Sequence, residues 1–440
     1  MVEPQQPSTA PAEQGRERTI DLARVVGIVA VVLGHWFVVA VTQVEGGLDG
    51  INVLGRLEWT HALTWVFQVM PLFFFVGGYA NATSFERHRA AGGDVLAWIV
   101  RRYRRLLWPA SVLLAVVVVV FVGASALGVD AQRAGTGAWL ATVPLWFLAV
   151  YLCAVALAPV TLAAHRRAGL AVPIGLAALV AVTDAVRIQL DDPPWAILTY
   201  VLGWLAIHQL GYAWFDGRLP PNARVGVPLA VVGFTTTLAL TIAGPYPLSM
   251  VQVPGGELQN TDPPTLALLA FAVGQVGIVL SLRGRIERWL AEERRWSLVS
   301  RAQSVVLTLF LWHMTAALVI AVAAYGTGGL PVVPVDSGRW LVLRVPWLAA
   351  CALVLVVLVK VLGPLERATT AHPTGRRTDG RAASAGSVAG ALATVGGMFG
   401  IAIAGSGAHG PLGLPTGPVA AFFTGILVLA AVHRRDSISA

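Results

Sequence analysis

Arg18-Thr19-Ile20-Asp21-Leu22-Ala23-Arg24 leads into an apolar run that carries Gly34-His35-Trp36-Phe37 and closes near Gln43-Val44. From Asp21 to Val44 the run is long enough for a first membrane span, since a spanning helix takes about 20 mostly apolar residues. His35 follows Arg24 by 11 residues. At about 1.5 Å per residue that sets it about 16 Å deeper, near the bilayer midplane. The same separation is close to three whole turns, so Arg24 and His35 share a face, with Asp21 one turn before Arg24 on that face. Ionisable groups at membrane depth are costly and rarely face lipid. The helix is therefore expected to turn a polar stripe of Asp21, Arg24 and His35 toward a protein interior or a cavity.

Composition extends this reading to the whole chain. Of 440 residues, 56% are hydrophobic and only 12% charged, and the mean hydropathy is +0.71. Soluble domains carry about 25% charged residues, so the chain is expected to be an all-α, polytopic transmembrane helical bundle of about twelve spans. The formal charge of +8 does not point to nucleic acid, because the arginines fall in the segments between spans, where orientation signals belong. Cys153 and Cys351 both lie in apolar runs and read as small core residues, and no metal site is expected. Residues 1–17 are polar and read as a disordered cytoplasmic N-terminus. The first apolar run reads as a signal anchor, without an evident cleavage site.

Candidate spans fall near 25–44, 62–81, 107–128, 139–163, 170–187, 195–215, 225–243, 265–282, 304–325, 340–362, 386–405 and 418–433. With the N-terminus inside, the inner segments collect Arg87 and Arg89, the run Arg101 to Arg105, then Arg166, Arg167, Arg218, Arg224, the group from Arg283 to Arg301, and Arg367 to Arg381. The outer side keeps Arg56, Arg133, Arg187, Arg339 and Arg344. That asymmetry predicts a multi-pass protein of the cell membrane with both termini cytoplasmic. Residues 18–365 form the expected ten-span core, 366–385 a cytoplasmic linker, and 386–440 two additional Gly- and Ala-rich helices with a short tail. The longest outer loop, 244–264, is rich in Pro and Gly and predicts a fixed turn rather than sheet or helix.

Four constellations carry chemistry. Neutral His35 suits a general base, against a structural reading as a histidine bonded between helices. Arg101-Arg102-Tyr103-Arg104-Arg105 precedes the third span; alone it reads as a positive-inside anchor, and functionally as a phosphate clamp. Met70-Pro71-Leu72-Phe73-Phe74-Phe75-Val76-Gly77-Gly78-Tyr79 combines a helix-kinking proline with glycines that permit close packing, or shapes a slot for an acyl chain. His313, in Leu311-Trp312-His313, lies at mid-depth of the ninth span. Trp146-Phe147 reads as packing or an aromatic belt, and His208, Asp184, Gln68 and Gln275 as weaker candidates that bond between helices.

Together these pieces resemble acyltransferase family 3. The resemblance rests on Arg18-x-x-Asp21-x-x-Arg24 followed by His35, Pro71-Leu72-Phe73-Phe74-Phe75-x-Gly77-Gly78, Arg102-x-x-Arg105 before Pro109, Leu145-Trp146-Phe147-Leu148, and Leu311-Trp312-His313. It implies transfer of an acyl group, often acetyl, from cytosolic acyl-CoA to a hydroxyl on an extracytoplasmic or membrane-embedded acceptor. It also implies that His35 is the essential histidine, that Arg24 acts on the same helix, and that Arg102 and Arg105 engage the donor. Gly77-Gly78 stands where Ser-Gly is more usual, and the last two helices lie outside the usual core.

The expected function is thus an O-acyltransferase. The catalytic set is His35, Arg24 and Asp21, the donor-binding set Arg102 and Arg105, and the secondary candidates His313, Trp146, Phe74 and Gly78. His35 acts as base or transient acyl carrier. No bound cofactor is expected, acyl-CoA being a co-substrate. The acceptor is a hydroxyl of a glycan, lipid-linked sugar or small metabolite. The alternative is a secondary transporter with a polar path through Arg24 and His35, against which stands the lack of related halves.

Overall fold

The computed structural model describes residues 17–44, 47–189, 197–370, 381–405 and 415–438. Helices α1 (Arg18–Val38), α2 (Thr60–Phe67), α3 (Met70–Ala90), α4 (Val95–Ala126), α5 (Ala131–Thr142), α6 (Leu145–Ala168), α7 (Ala171–Gln189) and α8 (Ile197–Phe215) build the first part of the bundle. Helices α9 (Ala223–Ile242), α10 (Leu266–Trp289), α11 (Glu293–Gln303), α12 (Val306–Ile320), α13 (Gly338–Thr370), α14 (Arg381–Ala404) and α15 (Thr416–Ile438) complete it. Among the described residues ten helices are long and apolar enough to cross a membrane, counting α2 with α3 as one. The expected spans at 195–215 and 418–433 fall on α8 and α15; α8 is made more polar by His208 and Gln209, both fully buried. Large apolar side chains such as Val119 (71% exposed) and Ile242 (72%) point outward. That is the surface lipid requires, and an outward apolar face is what distinguishes this bundle from a soluble one.

α1 is the hub: it touches α2, α3, α10, α11, α12 and α13. Its first turn is tied down tightly. Thr19 donates through its backbone N (2.7 Å) and hydroxyl (2.6 Å) to Glu287 at the end of α10. Glu17, whose carboxyl burial and the neighbouring Glu287 raise above the ordinary range, accepts two bonds from Arg283 at 3.0 and 2.9 Å. Arg18 donates to Leu290 O and lies over Trp296 of α11.

Several boundaries differ from the sequence reading, each for a physical reason. The first span was expected at 25–44, but α1 ends at Val38. Residues Val39–Val44 instead form a strand, β1, paired antiparallel with β2 (Gly47–Asn52). Val39-Ala40-Val41-Thr42 is apolar enough for a span, but its β-branched residues also suit a ribbon. His35 therefore sits in the last turn of α1, not near its middle. The second span breaks at Gln68-Val69 ahead of Pro71, because a proline cannot donate to the preceding turn. The fourth span breaks in the same way at Val143-Pro144. The arginine run does not precede the third span but lies on α4, whose start at Val95 is capped by Asp94 accepting from Ala97 N. The ninth span falls where expected, at Val306–Tyr325, and a short polar helix the sequence reading did not mark, α11, precedes it across a break at Ser304-Val305.

Of the expected linker 366–385, residues 366–370 and 381–385 are helical, and 371–380 lie outside the described residues. The expected disorder of residues 1–17 falls outside them too, save Glu17. α14 and α15 pack on each other, and α14 lies against α4, α5 and α6. The loop 244–264 is irregular as expected, and Gln259, Asn260 and Thr265 side chains bond its backbone or each other.

Candidate functional site

The centre of the molecule is a histidine pair. His35 Nδ1 lies 2.8 Å from His313 Nε2, with the rings stacked at 5.0 Å. His313 Nδ1 lies 2.5 Å from Phe310 O. A backbone carbonyl only accepts, so that contact assigns the proton to His313 Nδ1 and leaves Nε2 an acceptor. His35 Nδ1 must then carry its own proton, which leaves a lone pair on His35 Nε2. His313 is fully buried, whereas His35 keeps partial exposure. The pair is held from behind: Trp36 Nε1 donates to His313 O at 2.7 Å, and Trp347 Nε1 of α13 donates to Trp36 O at 2.8 Å. Both tryptophans are buried with their N–H groups satisfied, as such groups require.

A second group sits at the end where α1 begins. Arg24 reaches Asp21 at 3.8 Å, a long ion pair on successive turns. The charges of Arg105, Arg24 and Arg101 all reach the Arg102 guanidinium, so arginines of α1 and α4 lie near one another, and Arg105 also acts on the Glu366 carboxylate. Arg102 donates to Ala80 O at 3.1 Å and lies over the Trp98 ring, yet its buried Nε has no partner. Beside it opens a cleft of about 380 Å³ lined by Ser84, Arg87, His88, Ala91, Trp98, Arg101 and Arg102.

Between the two groups runs an aromatic wall. The ring of Phe73 packs directly on Gly27, on the α1 face between Arg24 and His35, where a Cβ would lie 2.9 Å from it. Phe147 of α6 meets Phe73, Phe74 and Phe310 edge-on at 5.8, 5.4 and 5.3 Å. Tyr151, one turn further along α6, stacks on Phe147 and fills the space left by Gly77. The geometry is cationic at one end, apolar along its length, and basic at the other.

A family description of an acyltransferase domain, that of acyltransferase family 3, matches residues 17–363, which is most of the chain and contains both groups. The chain belongs to acyltransferase family 3. No curated protein and no solved structure matches it. As a member of this family it is an acyltransferase, built as a multi-pass membrane protein, and the matched span ends before α14 and α15.

Within this acyltransferase the expected residues divide. His35 and His313 meet, and Arg24, Arg102 and Arg105 gather with Asp21 at the opposite end. Phe74 is fully buried between Trp204, Phe147 and Tyr151. Gly78 does not line the slot. A Cβ there would stand 2.0 Å from His208 O, and Gly211 faces it, so the glycine lets α3 and α8 touch backbone to backbone. Trp146 packs on Tyr200 and Trp204 of α8. Gln275 donates to Gln68 O and Gln68 to Met250 O, so both bond between elements as the bland reading holds.

The acyltransferase also uses residues that sequence reasoning missed. Glu366 was assigned to the linker but is buried. It accepts from Leu307 N (3.2 Å), Thr308 N (2.8 Å) and Thr308 Oγ1 (2.6 Å), capping the broken start of α12 five residues before His313. An acidic residue at a span end was its only signal. Tyr151 carried none, because a tyrosine inside an apolar run reads as packing.

Proposed function

We propose that this acyltransferase moves an acyl group, acetyl in the simplest case, from cytosolic acyl-CoA to a hydroxyl of a glycan, lipid-linked sugar or small metabolite. Both termini are cytoplasmic, so Arg24, Arg102 and Arg105 face the compartment that holds acyl-CoA. The observation that carries the reading is the contact chain Phe310 O to His313 to His35; with the carbonyl as acceptor, the tautomers that fit it leave a lone pair on His35 Nε2, in a partly open position.

The arginine cluster suits the anionic phosphates of coenzyme A. Guanidinium forks match phosphate oxygens, and the partnerless Nε of Arg102 is a donor awaiting one. The pantetheine arm lies along the aromatic wall and carries the thioester toward His35, about 16 Å further along α1 than Arg24. His35 Nε2 takes the proton of the acceptor hydroxyl as its oxygen attacks the thioester carbonyl. The C–S bond breaks, and the imidazolium returns the proton to the leaving thiolate, giving the ester and free coenzyme A. His313 accepts from His35 Nδ1 throughout, which orients the ring and favours the transient positive charge. General-base assistance of this kind contributes roughly 10²- to 10⁴-fold.

The test compares cell-envelope glycans and small metabolites of a deletion strain with its parent by mass spectrometry. A lost acyl mass, restored by the wild-type gene, is the expected result. An unchanged acyl profile together with acyl-CoA-independent solute flux in vesicles contradicts it.

A further inference from the structure

On the far side of the histidine pair lies a buried cation that the chemistry above does not use. Arg344 of α13 is 3% exposed. Its guanidinium carbon sits 4.7 Å from the Trp340 ring centre and 5.1 Å from that of Trp347. One Nη donates to Val39 O at 2.8 Å and the other reaches Tyr325 Oη at 3.4 Å. No carboxylate pairs with it among the described residues. Its buried Nε and the buried Nε1 of Trp340, one turn away on the same helix, both lack a partner. Tyr325 accepts from Arg344, so its own O–H is a further donor.

A role in capping α1 accounts for the bond to Val39 O and nothing else. A neutral donor would cap as well, without a charge to desolvate, and capping leaves the two orphan N–H groups unexplained. Partnerless buried donors around an unneutralised guanidinium, with no competing carboxylate, are complementary to one chemistry: an anionic oxygen group that accepts several hydrogen bonds. The place is informative too. Val39 follows the last turn of α1, and its N–H donates to His35 O. Trp347, which flanks Arg344, also bonds Trp36 O beside His35.

We propose that Arg344, Trp340 and Tyr325 form an anion receptor for the acceptor substrate, which therefore carries a carboxylate or phosphate near the hydroxyl to be acylated. The inference rests on the proposed acyl transfer and names its acceptor class: a uronate-bearing glycan or a sugar phosphate. The receptor is roofed by the ribbon of β1 and β2, whose Ala40 and Ile51 pack with Val53 against Trp340.

The experiment follows thermal unfolding of the full-length protein in lipid nanodiscs with D-glucuronate, D-glucose 1-phosphate, D-glucose and acetyl-CoA as probes. A molecule that binds the native state raises the midpoint. At least one of the two anions is expected to stabilise the wild type while glucose does not. Glucuronate alone points to a uronate acceptor, the phosphate alone to a sugar phosphate, and both together to recognition of either anion. Arg344→Gln loses the anion response and keeps that to acetyl-CoA. Trp340→Phe keeps an aromatic ring, removes one donor, and raises about tenfold the anion concentration needed for the same midpoint shift; it carries the test alone if Arg344→Gln fails to fold. No shift with either anion, an equal shift with glucose, or an undiminished anion response in the variants overturns the proposal. If the anions stabilise but acetyl-CoA does not, the donor reading falls while the receptor stands.

Discussion

The two ends of α1 solve opposite problems. At its start, Arg24, Arg102 and Arg105 stand where charge is cheap, Arg105 exposed and Arg102 half-buried beside an open cleft. At its finish, His35 and His313 meet in a stack backed by Trp36 and Trp347, with a contact made across 278 residues of sequence. The first end is an electrostatic trap that tolerates imprecision. The second is a hydrogen-bonded arrangement in which one proton's position decides which nitrogen is basic. Under the proposed function, rate belongs to the histidine end and donor affinity to the arginine end.

The hardest blow to this division comes from His35→Ala. Turnover is expected to fall about 10²- to 10⁴-fold, with the acyl-CoA KM little changed, measured as acyl-CoA-dependent transfer by protein in nanodiscs. His313→Phe keeps a ring but offers no acceptor to His35 Nδ1, and kcat is expected to drop about 10- to 100-fold by analogy with other positioning partners. His313→Gln, whose amide oxygen accepts, recovers part of that loss. Equal defects in both variants would reduce His313 to packing.

At the other end, Arg102→Ala is expected to raise the acyl-CoA KM about tenfold with kcat within a few-fold, the pattern of lost uniform binding. Salt sharpens the contrast. Raising ionic strength from about 0.1 to 1 M shortens the screening length from about 10 to 3 Å. The donor KM should rise several-fold while kcat stays, because the neutral, hydrogen-bonded imidazoles carry no net charge for ions to screen. A salt-dependent kcat would break the division. The smallest effect is that of Gly77→Ala, whose added Cβ meets the Tyr151 ring at 2.7 Å. Overpacking costs roughly 1–3 kcal/mol and narrows the slot, so longer acyl donors should suffer before acetyl-CoA does.

The arginine end was legible in the sequence for the same reason that it is tolerant. Local runs and helical periodicity place Asp21, Arg24 and Arg102-x-x-Arg105 without any tertiary information, and hydropathy alone places the apolar helices, of which ten among the described residues are long and apolar enough to span where about twelve were expected. The histidine end was half legible. His35 and His313 each stood out as a polar residue in an apolar span, but their pairing is created by packing of α1 against α12. His35 was placed at mid-helix because Val39–Val44 is apolar enough to extend α1, whereas Arg344 donating to Val39 O and the partner strand Gly47–Asn52 end the helix at Val38. Gly78 was legible as a close-packing glycine but not as to which helix it would face. Arg344 and Glu366 were hidden in plain view, the first counted as an outer span-end charge and the second as a linker charge, because burial is decided by neighbours far along the chain.

The central claim is that His35, held by His313, is the base for acyl transfer. The most direct measurement restores the deletion strain with wild type, His35→Ala, or His313→Gln at equal membrane abundance and quantifies the lost acylated product by mass spectrometry. The account predicts full restoration by wild type, none by His35→Ala, and partial restoration by His313→Gln. Full restoration by His35→Ala would contradict it.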